Sequence, residues 1–209
     1  MWNRIQNQNR PLENQIRQRA LPIALTLSLI LPLLQGCGAI IVGGVAAGAS
    51  VAHERRSTQT VLEDEHTEHS AAQLLIDNPD INMHSRISIT SYNHLVLLSG
   101  QAETQEISDR FAQKVAGLPR VKKVLNEVTI GPLASFARES EDALITSRVI
   151  IALTEVDYPG FDPTRVKVVT EEGVVFLMGL VHPREADAAA EKARYVPGVV
   201  KVVKLFEYI

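Results

Sequence analysis

The 209-residue sequence is poor in cysteine and aromatic residues, and it has no excess of positive charge. Its single cysteine excludes an internal disulfide and a four-cysteine zinc site. The formal net charge is −3, whereas a protein that binds nucleic acid through a basic face carries a positive excess, so we expect no nucleic-acid partner. Only one long uncharged stretch is present, near the N-terminus, which excludes a polytopic membrane protein.

The first 36 residues have the layout of a secretory signal. Four arginines and one glutamate precede residues 21–34, a 14-residue run without a charge. A positive segment followed by a short apolar segment is typical of a signal peptide, whereas a membrane span needs about 20 apolar residues. Residues 21–52 also lack ionised side chains, which leaves open an uncleaved membrane helix. Five glycines and two prolines in that stretch disfavour one continuous helix.

The run Leu34-Gln35-Gly36-Cys37 follows directly and resembles a bacterial lipobox. The resemblance implies cleavage between Gly36 and Cys37, a thioether-linked lipid on Cys37 and acylation of the new N-terminus. Several acyl chains on one residue anchor a protein stably, whereas one chain does so only marginally. The alternative is a buried free cysteine. By the same resemblance, an aspartate at the position of Gly38 would favour retention in the inner membrane, so glycine there favours export to the outer membrane.

Removal of the signal changes the charge balance. Residues 1–36 hold four of the 21 basic and one of the 24 acidic residues, so residues 37–209 carry a net charge of −6. We expect residues 37–60 to form a lipidated, glycine-rich tether, because small uncharged residues follow Cys37. We predict no cofactor besides the covalent lipid on Cys37.

The remainder of the sequence contains an internal repeat. Residues 95–100 (LVLLSG) match residues 174–179 (VVFLMG), and a polar helical segment follows each of them. Residues 117–121 (GLPRV) and 195–199 (YVPGV) also match, and each leads into a β-type run. The offset is 79 at the glycines and 78 at the prolines, so one deletion accounts for the difference. Units of about 70 residues are longer than solenoid repeats and fit two tandem domains better.

Both units have the same predicted element order, αββαβ. The elements predicted for the first unit are a helix over 61–77, strands over 86–92 and 94–99, a helix over 104–116 and a strand over 121–130. Those predicted for the second unit are a helix over 140–156, strands over 166–170 and 174–179, a helix over 183–195 and a strand over 199–208. Ser140 is expected to cap its helix, and Gly100 and Gly179 are expected to lie where buried strands end. Two helices on a three-stranded mixed sheet make a two-layer α+β sandwich, so we predict domains at 61–131 and 132–209.

These features in this order resemble the BON domain. The features are an apolar strand that ends in glycine, an amphipathic helix, and a return through a proline-containing turn into a last strand. Residues 168–181 and the run Arg55-Arg56-Ser57 are similar to lipoproteins with two BON domains. The resemblance implies a lipid-anchored protein without enzymatic activity, on the periplasmic face of the outer membrane of a Gram-negative bacterium. Such a protein supports the integrity of the envelope.

The resemblance also implies that the second domain binds anionic phospholipid through its first helix, over 140–156. The seven apolar residues of this helix are too many for one buried stripe, so some should face outward. We predict that Leu144, Arg148 and Ile151 form an outward patch that contacts phospholipid. The residues predicted to face the sheet are Ile145, Val149 and Leu153. As an alternative for this helix, the outward residues pack on the first domain. As an alternative for the protein, it is an envelope adaptor that binds a protein partner, without direct lipid binding by its BON domains.

A cluster of histidines and acids stands at the start of the first unit. His66 and His69 are accompanied by three acids, Glu63, Asp64 and Glu65. Histidine and carboxylate side chains can hold zinc, but the order differs from H-E-x-x-H. We interpret the cluster as a solvated acidic face, and predict no metal site.

A basic cluster, Arg120, Lys122 and Lys123, stands on the last strand of the first unit. Such charges commonly protect an edge strand, and contact with lipid headgroups or peptidoglycan is the alternative. The sequence contains no nucleophile elbow and no phosphate-binding loop, so we predict no catalytic residue.

Overall fold

The computed structural model describes residues 54–209. The predicted signal, the lipobox with Cys37 and most of the predicted tether lie outside these residues. Among the residues that the model describes, no helix combines the length and the apolar character needed to cross a membrane. Two domains with the same element order follow one another, as the internal repeat predicts.

The first domain contains three helices and four strand segments. They are α1 (Thr58–Ile76), α2 (Pro79–Asn82), β1 (Ser85–Tyr92), β2 (Leu95–Ala102), α3 (Gln105–Ala116), β3 (Lys123–Asn126) and β4 (Thr129–Ile130). The hydroxyl of Ser57 caps α1 by accepting the N–H of Thr60 at 3.0 Å. The helix therefore begins inside the range 37–60 predicted as tether, because its capping serine lies four residues before the first predicted helical residue.

The second domain repeats this order with an unbroken last strand. Its elements are α4 (Phe136–Thr154), a 3₁₀ turn (Pro163–Arg165), β5 (Val166–Glu171), β6 (Val174–Val181), α5 (Pro183–Ala193) and β7 (Lys201–Tyr208). The prediction that Ser140 caps α4 is wrong. Ser135 accepts the N–H of Arg138 and caps the helix, so Ser140 lies inside it. Ser135 and Ser140 both precede acidic residues, and the sequence pattern alone does not show which of the two caps the helix.

Each domain has one mixed sheet with the second strand of its hairpin in the centre. β1 pairs antiparallel with β2, while β3 and β4 run parallel to β2 on its other side. In the second domain β5 is antiparallel and β7 is parallel to β6. The α+β fold of two mixed-sheet sandwiches is thus as predicted, except that the last strand of the first domain is split.

The apolar core has three parts. Each domain buries one cluster between its helices and its sheet. The third cluster contains Tyr92 and Leu97 from the first sheet and Phe176 and Met178 from the second, all at most 4% exposed. The two sheets therefore pack face to face, and the helices cover the outer sides. This arrangement explains why β2 and β6 are apolar at consecutive positions, since both of their faces are buried.

A buried aspartate in the first helix of each domain holds the turn of the hairpin. Asp64 accepts the N–H groups of both turn residues, at 2.7 and 2.8 Å. Asp142 does the same in the second domain, at 2.9 and 2.8 Å. All four turn residues have positive φ, as the type I′ turns of two-residue hairpins require. Asp64 is only 3% exposed, so assigning it to a solvated acidic face is wrong.

Two glycines lie inside strands rather than at their ends. β2 continues two residues beyond Gly100, and β6 continues two residues beyond Gly179. A Cβ at Gly100, where φ is +107°, would lie 1.9 Å from the carbonyl oxygen of Arg86. At Gly179 a Cβ would lie 2.6 Å from the carbonyl oxygen of Arg165. Close approach of neighbouring backbone, from β1 at Gly100 and from the 3₁₀ turn at Gly179, therefore accounts for both glycines, and the predicted strand ends are wrong.

Candidate functional site

Helix α4 presents one apolar side to the core and a second one to solvent. Its inner side carries Ile145, Val149 and Leu153, each at most 2% exposed. On the outer side, Leu144 is 58% exposed and Ile151 is 62% exposed. The predicted orientation of all five side chains is therefore confirmed. The alternative that the outward residues pack on the first domain is wrong, because they face solvent in the described part of the chain.

The outward patch is continuous along the helix. Ile150 is 49% exposed, but it lies two residues after Arg148 and therefore on another side of the helix. Arg148, also exposed, lies on the same side as Leu144 and Ile151 and donates to the carbonyl oxygen of Pro197 at 3.4 Å. Leu144 and Ile151, four and three residues from Arg148, thus flank one guanidinium group and make an amphipathic, positively charged surface.

An open groove of about 420 Å³ borders this patch. Arg148 and Ile151 form one side, and Lys192 and Tyr195 form the other, at the C-terminal end of α5. Tyr195 is 68% exposed. The ammonium of Lys192 lies 3.0 Å from a carboxylate oxygen of Glu155, which also lines the groove. Two cations and an aromatic ring thus surround an apolar floor.

The sequence analysis missed the contribution of α5 to this surface. The predicted helix included Tyr195, whereas α5 ends at Ala193 and leaves Tyr195 in the turn that follows. The guanidinium of Arg194 lies 4.7 Å from the centroid of the Tyr195 ring. An aromatic residue directly before the Val196-Pro197 turn is a signal that could have indicated an exposed ring.

On the corresponding helix of the first domain, the positions that match the outward patch are polar. The buried aspartates Asp64 and Asp142 have the same role and align α1 with α4 at an offset of 78 residues. At this offset three polar residues of α1 correspond to the outward patch of α4. Leu144, Arg148 and Ile151 correspond to His66, Ser70 and Gln73. The two domains therefore share a fold but differ in the chemistry of this helix face.

The other candidate clusters form no such surface. His66 and His69 belong to no group of three possible metal ligands within residues 54–209. Of the basic cluster, Arg120 pairs with Glu63 at 3.1 Å, and Lys123 begins β3, which is an edge strand. Protection of this edge remains a sufficient interpretation of the cluster.

The described residues thus form two tandem α+β sandwiches with the same element order, and the second has an exposed apolar helix face. A family model for the BON domain matches residues 63–132 and 141–209. The chain therefore belongs to the BON domain family and contains two copies of the domain, in agreement with the resemblance noted in the sequence.

Two relatives match most of this chain. It is 37% identical over 177 residues to the outer membrane lipoprotein DolP of Haemophilus influenzae, which covers 84% of this chain and 90% of that protein. It is 38% identical over 157 residues to the 21 kDa hemolysin of Actinobacillus pleuropneumoniae, which covers 74% and 78% respectively. The chain is thus a DolP-like protein with two BON domains.

Among solved structures, the C-terminal domain of CdsD, a structural protein of the type III secretion system of Chlamydia trachomatis, is also similar. It covers 63% of this chain and 94% of its own, at 12% identity and a TM-score of 0.28. A TM-score of 0.28 is too low to support any conclusion about the present chain.

Proposed function

We propose that this protein is a lipid-anchored component of the outer membrane, faces the periplasm and supports envelope integrity without catalysis. Its second BON domain binds anionic phospholipid through the outward patch of α4. The predicted lipobox at Cys37 and the identity to an outer membrane lipoprotein support the anchor. The observation that carries the lipid-binding part is the exposure of Leu144 and Ile151 on either side of Arg148.

The energy available from this patch suits a reversible membrane contact. Complete burial of a leucine or isoleucine side chain is worth about 1.5–3 kcal/mol, and Leu144 and Ile151 are 58% and 62% exposed. Their insertion into the headgroup region therefore contributes a few kcal/mol in total. That is too little for stable attachment, so the lipid on Cys37 supplies the attachment and the helix orients the domain at the surface.

Local rather than overall charge explains a preference for anionic lipid. Residues 37–209 carry a net charge of −6, which repels an anionic surface as a whole. Arg148, Lys192 and Glu155 line the groove beside the apolar patch, and because Glu155 pairs with Lys192, Arg148 supplies the net positive charge there. Cations next to inserted apolar side chains lie at the depth of lipid phosphates, where a guanidinium group binds phosphate oxygens well.

Vesicle co-sedimentation tests the lipid contact. The chain from residue 38 onward, produced without lipid, should sediment with vesicles of phosphatidylglycerol and phosphatidylcholine but not with phosphatidylcholine alone. Leu144→Asp should weaken binding at least fivefold. Leu62→Asp is the matched control, because Leu62 is 60% exposed on α1, the corresponding helix of the first domain. Equal losses in both variants, or no binding at any lipid composition, would refute the lipid contact and favour the adaptor role.

Intact-mass spectrometry of the membrane-extracted protein tests the anchor separately. The expected mass is that of residues 37–209 plus a diacylglyceryl group and one amide-linked acyl chain. A Cys37→Ser variant that stays uncleaved and equally membrane-bound would contradict the anchor.

A further inference from the structure

The first described residues lie against both domains. We call residues 54–57 the strap. The guanidinium group of Arg55 makes two hydrogen bonds to the carboxylate of Glu185 in α5, at 2.6 and 2.9 Å. It also donates to the carbonyl oxygen of Leu180 at the end of β6, at 3.0 Å. The side chain of Arg55 is thus held entirely by the second domain.

The next residue of the strap is held by the first domain. Arg56 donates to Asp64 in α1 at 2.8 Å and to Glu54 at 2.9 Å. Its guanidinium group lies 3.7 Å from the centroid of the Tyr92 ring. The hydroxyl oxygen of Tyr92 lies 3.3 Å both from a carboxylate oxygen of Glu54 and from the carbonyl oxygen of Arg165, and these two acceptors share its one proton. Two consecutive arginines therefore connect the strap to two different domains.

The contacts of the strap are largely shielded from water. The side chains of Arg55 and Arg56 are 19% and 11% exposed, and those of Glu185 and Asp64 are 3% and 4% exposed. The hydrogen bond from Arg55 lowers the pKa of Glu185, although burial opposes this shift. Bidentate arginine–carboxylate pairs of this kind are strong and specific in geometry, and removal of one partner leaves a buried charge unpaired.

We infer that the strap is docked in an acidic cradle built by both BON domains, where it fixes the point at which the membrane tether joins the fold and shields that junction from cleavage. The cradle consists of Asp64 and Glu185, and the occupant is the chain's own Arg55-Arg56 pair. Opposite charges and two-domain contact make the docked state the dominant one. Docking of the strap does not depend on lipid binding by α4. The role of the docked strap at the start of the membrane tether rests on the proposed anchor at Cys37.

Trypsin provides a direct test, because it cleaves after arginine and needs an accessible, extended segment. The full lipidated chain in detergent should be cut after Arg55 and Arg56 at least tenfold more slowly than a peptide of residues 50–62. Cleavage of a segment that opens rapidly follows the population of its open form. Glu185→Gln should raise the rate at these two bonds tenfold or more. The matched control is Glu191→Gln, which makes the same change on the exposed side of α5 and should leave the rate unchanged.

A second variant separates undocking from unfolding. Arg55→Lys keeps the charge and leaves Glu185 in place, but loses the two-pronged hydrogen bond, so cleavage at the Arg56–Ser57 bond should rise several-fold. Cleavage after Lys201, inside β7, reports global unfolding and should stay at the wild-type rate. Wild-type cleavage as fast as that of the peptide, or wild-type rates in both Glu185→Gln and Arg55→Lys, would overturn the inference. The mass of the released N-terminal fragment shows independently whether Cys37 carries lipid.

Discussion

Replacement of the buried aspartates tests how the two hairpins are held. Asp142→Ala removes the acceptor of two backbone N–H groups, those of Glu172 and Gly173, at 2.9 and 2.8 Å. A hydrogen bond to a charged group contributes about 1.5–3 kcal/mol, and a methyl group cannot replace it. We therefore expect the free energy of unfolding in urea to fall by about 3 kcal/mol or more. Asp142→Asn keeps one acceptor oxygen and should cost about half as much.

The corresponding change in the first domain should be more severe. Asp64 accepts the same two turn N–H groups, and it also accepts the hydroxyl of Ser91 and the guanidinium group of Arg56, both at 2.8 Å. Asp64→Ala breaks a buried ion pair as well, which typically costs about 3–5 kcal/mol when one partner remains. The domains share a sheet interface, so one urea transition reports on both variants. If Asp142→Ala costs less than about 1 kcal/mol, or more than Asp64→Ala, the assigned role of these carboxylates is wrong.

Three further changes probe the backbone, the domain seam and the groove. Gly100→Ala should destabilise the fold by about 3 kcal/mol or more in urea unfolding, because its Cβ would collide with a backbone carbonyl and φ is positive there. Gly131→Ala is the control and should be nearly neutral, because the space around Gly131 is open. Burial raises the pKa of Glu171, although the side chain of Gln101 donates a hydrogen bond to it. The folded state therefore binds the proton of the Glu171 carboxyl more tightly than the unfolded state, so the free energy of unfolding falls as pH rises from about 4.5 through the raised pKa. Glu171→Gln removes this ionisation and should raise the thermal midpoint at pH 7. A lower midpoint would contradict this reasoning. Tyr195→Ala should weaken vesicle sedimentation several-fold at unchanged thermal midpoint, and unaltered binding would remove Tyr195 from the surface.

The sequence predicts those parts of the fold whose signals are local. The apolar run in β2 is buried on both sides, and Phe111 and Val115, four residues apart in α3, are fully buried, as their spacing indicates. The outward face of α4 is predictable for the same reason, since a helix has only one buried stripe and α4 carries more apolar residues than that stripe holds. A pattern within one element is sufficient for each of these predictions.

Contacts between distant residues are not predictable in this way. Asp64 stands between two other acids, and nothing in that run shows that its partners are turn N–H groups about 30 residues away. The cradle of the strap is similar, because Arg55 and Glu185 are 130 residues apart. Tyr195 was misplaced because α5 ends two residues earlier than its pattern suggests. Each of these outcomes depends on packing between elements and not on periodicity.

The packing of the two sheets gives the exposed face of α4 its significance. Each BON sheet has one face covered by its own helices, and the other face is covered by the sheet of the neighbouring domain. Leu144 and Ile151 therefore belong neither to a domain core nor to the interface between domains, and the fold does not need them to be apolar. The aligned helix α1 demonstrates this, because it occupies the same place with His66 and Gln73 at these positions. Since exposed apolar clusters reduce solubility and usually mark contact surfaces, the difference between the two helices supports the proposal that the second domain makes the lipid contact.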